Sequence, residues 1–259
     1  VPDAKLTDWT QLMKSIRATS GVRVVVLNHP RNTHSGFSPV GPKHFNRVTG
    51  RNLYGAPYSF DAMEVVTSAA MQSDFMAPYR DWFAMLNWGH PITGVGSSDT
   101  HDVSRFILGQ ARTYVECPDT HPDKINITKA CESFRNMRAY ISMGLLVHMQ
   151  VDGRSRSGDV ATGLNKEMKI HTRVLGPSWV RADRLELFTN GHRILTRDLR
   201  PTSKIEKANL TFTLPRPLHD AHLIAIATGP GITEPFWESP RPYVPTTPNH
   251  TPRVQGATN

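Results

Sequence analysis

Pro91-Ile92-Thr93-Gly94-Val95-Gly96-Ser97-Ser98-Asp99-Thr100-His101-Asp102 is a short apolar, partly β-branched run that passes through small residues into carboxylates and an imidazole. A run of this kind, closed by Gly and Ser, reads as a buried strand delivering its last residues to a loop. In extended backbone, residues i and i+2 lie on one side, so Asp99 and His101 can both reach one ion. They are candidate metal ligands, set against the plainer reading of a turn with solvated side chains. Any further ligands have to come from elsewhere in the chain.

Upstream, Thr7-Asp8 ahead of Trp9, Leu12, Met13 and Ile16 supplies an N-cap and an apolar stripe at helical spacing, ending near Ser20-Gly21. Val22-Arg23-Val24-Val25-Val26-Leu27 then reads as a buried strand, and helix followed by strand is an α/β pattern. That strand runs into Asn28-His29-Pro30-Arg31, where Pro30 ends pairing and biases His29 towards extended backbone. In parallel α/β sheets functional groups sit at the carboxyl ends of strands, and His29 holds such a position. Residues 31 to 59 form a long polar segment, and loops of this length are functional or disordered. Its Arg31, His34, Lys43, His44 and Arg47 either line a mouth for an anionic or polar substrate or are ordinary loop surface. Phe60 to Val66 reads as a further strand. Its Glu64 either faces outward or is an inward carboxylate held by a metal or hydrogen bonds.

A helix is expected from Met71 or Asp74 to Gly89, through Phe75, Tyr79, Trp82, Phe83 and Leu86, with His90 near its C-terminal cap. Ala111 to Val115 reads as a strand, and Ile127 to Met143 as an amphipathic helix with Cys131 on its apolar side. Beyond residue 144, short β-like runs are separated by turns, of which Thr189-Asn190-Gly191 between two apolar runs is the strongest hairpin signal. Regularly spaced short strands without helices argue for a β-sandwich. The tail from Gly229 is Pro-rich and reads as irregular or as lying against its neighbours.

The 259 residues suffice for one large or two medium domains, and two are expected: 1–143, and 144–259 as a β-sandwich of Ig-like kind with a Pro-rich tail. Lys+Arg exceed Asp+Glu by 30 to 22, giving +8, a balance that favours anionic partners without choosing among them. No dense Lys/Arg block with interleaved aromatics is present, which argues against nucleic acid. The two cysteines, Cys117 and Cys131, support neither a disulfide framework nor a thiolate zinc site, and leave room for a single bridge. No apolar run is long enough to span a membrane, and the compartment, cytoplasmic or exported, is left open.

In order along the chain, Asn28-His29-Pro30, Ala62-Met63-Glu64-Val65, Asp81-Trp82-Phe83 with Gly89-His90, Gly96-Ser97-Ser98-Asp99-Thr100-His101-Asp102 and Ala111-Arg112-Thr113-Tyr114 resemble the PHP (polymerase and histidinol phosphatase) metallohydrolases, and within them the branch of carbaryl and carbofuran hydrolases. Gly176-Pro177-Ser178-Trp179 and Thr189-Asn190-Gly191 resemble the β-domain that follows the barrel in that branch. The resemblance implies a partial distorted (β/α)7 barrel over 1–143 ahead of the β-sandwich. It also implies two or three divalent ions (zinc, manganese or iron) in the complete site. His29, Asp99 and His101 would be ligands and catalytic residues, and Arg31, His34 and Arg112 would contact substrate; Glu64, in its inward reading above, is a further candidate ligand. A metal-bound hydroxide would then attack a phosphoester, or a carbamate or amide, of a small anionic or polar molecule. The family's N-terminal His-x-His pair has no counterpart here, so the resemblance further implies a carboxyl-terminal part whose missing N-terminal barrel segment lies elsewhere. The competing expectation is a non-catalytic binding or structural protein built on a degenerate barrel, with the β-sandwich as its interaction module.

Overall fold

The computed structural model describes residues 8–31, 38–53, 58–68, 71–101, 103, 107–234, 237–242 and 251–259. Helix α1 (Trp9–Ala18) starts at Asp8, whose side chain accepts the Gln11 N–H, and it buries Trp9 and Met13. Strand β1 is only Val26–Leu27. The β-branched run before it is not a buried strand, because the Asp61 carboxylate takes the Val25 N–H at 2.7 Å and Val22 is exposed. Strands β2 (Ala62–Thr67) and β3 (Thr93–Ser97) complete a parallel sheet in the order β1-β2-β3. Helix α2 (Met76–Asn87) connects β2 to β3 and is buried on most sides, with Tyr79, Trp82, Phe83 and Met85 inside.

The rest of the chain is antiparallel. One sheet has six strands in the order β4-β5-β12-β11-β8-β9, formed by β4 (Ala111–Val115), β5 (Ala139–Met143), β12 (Arg253–Thr258), β11 (Leu223–Pro230), β8 (Arg184–Thr189) and β9 (His192–Asp198). The other has three, β10-β7-β6, from β10 (Glu206–Pro215), β7 (Glu167–Leu175) and β6 (Leu146–Val151). Helix α3 (Ile127–Arg135) lies between β4 and β5.

Two cores explain this layering. In β11, Ile224 and Ile226 join α2, Trp82 and Phe83 in the first core, whereas Ala225 and Ala227 join Leu145, Ile170 and Val174 in the second. The six-stranded sheet is therefore covered on both faces, and its central strands are almost continuously buried. Strand β7 has one wet face and alternates accordingly.

The expected (β/α)7 barrel is overturned. Among the described residues strand outweighs helix by 35% to 15%, with three α-helices, and the antiparallel sheets hold most of the strands. Only β1 to β3 are parallel, and β3 pairs no fourth strand among the described residues. Instead the outer edge of β3 lies against β4 and β5. Thr113 Oγ1 accepts the Gly96 N–H at 3.0 Å and donates to Gly96 O at 2.8 Å. Glycine is required for that approach, since a Cβ at Gly96 would lie 2.9 Å from the Arg112 carbonyl oxygen. The division at 143/144 falls between β5 and β6, and β4 and β5 belong to the same sheet as β12, β11, β8 and β9.

Two further expectations change. The helix expected over 127–143 stops at Arg135; Met137, at φ 57, turns the chain, and Ala139–Met143 is β5. The tail is not irregular throughout, since Arg253–Thr258 forms β12 between β5 and β11. Both cysteines are free and half-buried. No described helix is long and apolar enough to cross a membrane.

Candidate functional site

Glu64, in the middle of β2, meets His29 just past the end of β1 and Ser97 at the end of β3, with Asp99 nearby. Glu64 stands on β2, 2% exposed, at a register shift between Glu64 and Val66 in the pairing with β3. Such bulges re-aim side chains at the rims of sheets. The Glu64 Oε2 accepts the backbone N–H of His29, and its Oε1 accepts the Ser97 hydroxyl. His29 is not extended, as Pro30 suggested; it has φ 30, which turns its N–H to the Glu64 carboxylate. Asp99 also has positive φ, at 52. Two non-glycine residues in this sparsely populated region flank one carboxylate, the kind of local strain that clusters at functional sites.

Burial pushes the Glu64 carboxyl up to about 8, the His29 N–H pulls against that rise, and the nearby Asp99 charge adds to it. No lysine or arginine pairs with Glu64 among the described residues. His101 is solvent-facing, with 69% of its side chain exposed. Its Nδ1 lies 2.6 Å from the Asp99 carbonyl oxygen and 3.6 Å from Asp99 Oδ1. A carbonyl can only accept, so Nδ1 is the donor in that contact. The Ser98 hydroxyl, accepting from Gly109 N–H at 3.1 Å and Thr100 Oγ1 at 3.0 Å, pins the same loop.

Carboxylate oxygen and imidazole nitrogen suit zinc, manganese or iron, and a buried carboxylate beside another carboxylate suits a cation in place of a proton. The convergence is partial: among the described residues no three or more His, Cys, Asp or Glu side chains form a group that could hold a metal ion.

The expected substrate contacts are placed differently. Arg31 is committed to Asp81 on α2, its Nε to Oδ2 and its Nη2 to Oδ1 at 3.1 Å. Arg47 reaches the same carboxylate from Nε at 2.6 Å, so Asp81 ties both ends of the 31–47 segment to α2. Arg112 is exposed on the face of β4 opposite Thr113. His34 lies outside the described residues. Ser97 was missed in the sequence, although its place two residues before Asp99 puts it on the same side of an extended segment. Asp81 was read only as part of a motif, and its role as the anchor of two arginines had no local signal.

Comparison with protein-family models, with curated proteins and with solved structures gives no match to this chain.

Proposed function

We propose that this protein is a hydrolase dependent on a divalent cation held at the carboxyl edge of β1–β3, acting on an ester-type bond, a phosphoester or a carbamate or amide, of a small polar or anionic molecule. The observation that carries this reading is Glu64: a buried carboxylate, neighboured by Asp99, whose described partners are a backbone N–H and a hydroxyl. Crevices at the carboxyl ends of parallel strands are where open α/β sheets bind ligands. The resemblance of the His29, Asp99 and His101 stretches to the PHP metallohydrolases supports the same chemistry.

A bound divalent ion supplies Lewis acidity and a nucleophile at neutral pH. The protein's part is to hold it and to manage protons. Glu64 and Asp99 provide the negative charge, Ser97 and the His29 N–H fix the Glu64 carboxylate, and the solvent-facing His101 imidazole serves as a ligand or proton acceptor.

The test is elemental analysis of the full chain together with assays on phosphoester, ester and carbamate substrates in Mn²⁺, Zn²⁺ or Fe²⁺. His29→Ala, Glu64→Gln, Asp99→Ala and His101→Ala should each reduce metal content and hydrolysis together. An unchanged ion count in all four would refute the ligand assignment. Metal retention with no turnover of any substrate class would instead make the chain a binding protein.

A further inference from the structure

A cleft of about 540 Å³ opens where the outer faces of β4–β5 and β6–β7 meet, and it shares no lining residue with the site around Glu64. It exists because the chain passes from β5 in the six-stranded sheet directly into β6 in the three-stranded one, which sets the outward side chains of the two sheets at a corner.

One wall is aromatic. Tyr114 and Tyr140 are cross-strand partners on β4 and β5, and Tyr114 is 44% exposed. The Tyr140 ring stands edge-on to the His148 ring at 4.7 Å. The rest combines the apolar Val115, Leu146 and Met149 with polar groups, of which the charged ones are internally paired. Arg156 donates to Glu116 Oε1 at 2.8 Å, and Arg173 donates to Glu206 Oε2 at 2.9 Å. Gln150, exposed on β6, adds an amide. Burial, aided by the Arg173 charge, lowers the His148 pKa and so favours the uncharged ring.

The chain as a whole carries +8, yet both guanidiniums in this cleft already hold a carboxylate. An anionic ligand would have to compete with a carboxylate already held at each of them. An uncharged ring with one apolar face and a rim of hydroxyls would not: its C–H face fits an exposed tyrosine, and its hydroxyls fit planar donors and acceptors already fixed in direction. We propose that this cleft binds a neutral saccharide, with one sugar ring stacked on Tyr114 and its hydroxyls bonded to the Glu116–Arg156 pair and Gln150.

The inference does not rest on the hydrolase reading, and the experiment separates the two by working in EDTA. Isothermal titration of the full chain with neutral cello-, xylo-, manno-, malto- and chito-oligosaccharides should find at least one that binds with a Kd of about 1 mM or tighter. Tyr114→Ala should weaken that ligand by about tenfold or more, whereas Tyr114→Phe, which keeps the ring, should stay within about twofold. Gln150→Ala, at an exposed position that leaves the fold intact, should also weaken it. The proposal is overturned if no oligosaccharide binds, if Tyr114→Ala and Gln150→Ala leave the affinity unchanged, or if inorganic phosphate or benzoate competes for the cleft more tightly than any sugar.

Discussion

The Asn259 side chain completes the outer edge of β3 at Gly94. Its Oδ1 accepts the Gly94 N–H at 2.6 Å, and its Nδ2 donates to Gly94 O and to Ala139 O, both at 3.0 Å. A strand edge presents N–H and C=O groups that must be paired when buried. In β3 one amide and the Thr113 hydroxyl do this, and so the parallel sheet ends at three strands with β4 and β5 packed across it.

Asn259→Ala therefore strips partners from a buried N–H and two carbonyls, and should cost about 2–3 kcal/mol in urea unfolding. Asn259→Asp should be no milder, because it points a carboxylate at two carbonyl oxygens. If Asn259→Ala changed stability by less than about 0.5 kcal/mol, the side-chain edge would be dispensable.

Glu64 should make stability depend on pH in a defined direction. Its pKa of about 8 in the fold exceeds its ordinary 4.5, so the folded state keeps a proton that the unfolded chain gives up. The corresponding stability is fully present below about pH 4.5, declines as pH rises towards 8, and is level above that. The full span is on the order of 5 kcal/mol, at about 1.4 kcal/mol per unit of pKa difference. Unfolding of wild type and Glu64→Gln across pH 4 to 9 isolates this group, and the difference between the two profiles should shift towards the variant with rising pH. A difference that stays flat would contradict the buried, proton-holding carboxyl.

Asp81 should be the costliest surface-loop contact to remove. It is 1% exposed and holds Arg31 and Arg47. Asp81→Ala leaves two guanidiniums without their carboxylate and should lose about 3–5 kcal/mol, while Asp81→Asn, keeping one acceptor, should lose less. Limited trypsin digestion gives a second measure: cleavage at Arg31 and Arg47 should accelerate in Asp81→Ala. Equal digestion rates would show that the anchor does not hold the segment.

What the sequence disclosed follows the range of the forces involved. Local signals were legible: Asp8 caps α1, the aromatic stripe forms α2, and Asn190-Gly191 makes the β8–β9 turn. The hairpin signal was strong because φ of 48 and 80 at those two residues is what Asn and Gly accommodate. Long-range choices were not legible. Ala139–Met143 carries helical spacing after α3, but pairing with β4 and β12 and burial on both sides make it a strand. At the site, His29, Glu64 and Asp99 could be nominated from strand ends and spacing. The backbone turn that gives Glu64 the His29 N–H could not be, since proline at position 30 argued for the opposite conformation.

The same β8–β9 turn offers a test of how the α2 layer is held on the six-stranded sheet. Asn87 on α2 donates to Asn190 O at 3.1 Å, and Phe83 packs on Phe188 with ring centroids 5.5 Å apart. A Cβ at Gly191 would lie 3.2 Å from the Phe83 Cβ, whereas at Gly153, with a similar φ of 69, it would meet nothing within 4 Å. Gly153→Ala should thus show the backbone cost alone, about 1 kcal/mol, and Gly191→Ala that cost plus displacement of Phe83, about 2 kcal/mol or more. Near-ultraviolet circular dichroism should change only in Gly191→Ala, because only there do the packed aromatic rings move. Equal losses in the two variants, with unchanged aromatic spectra, would show that the turn does not press on α2.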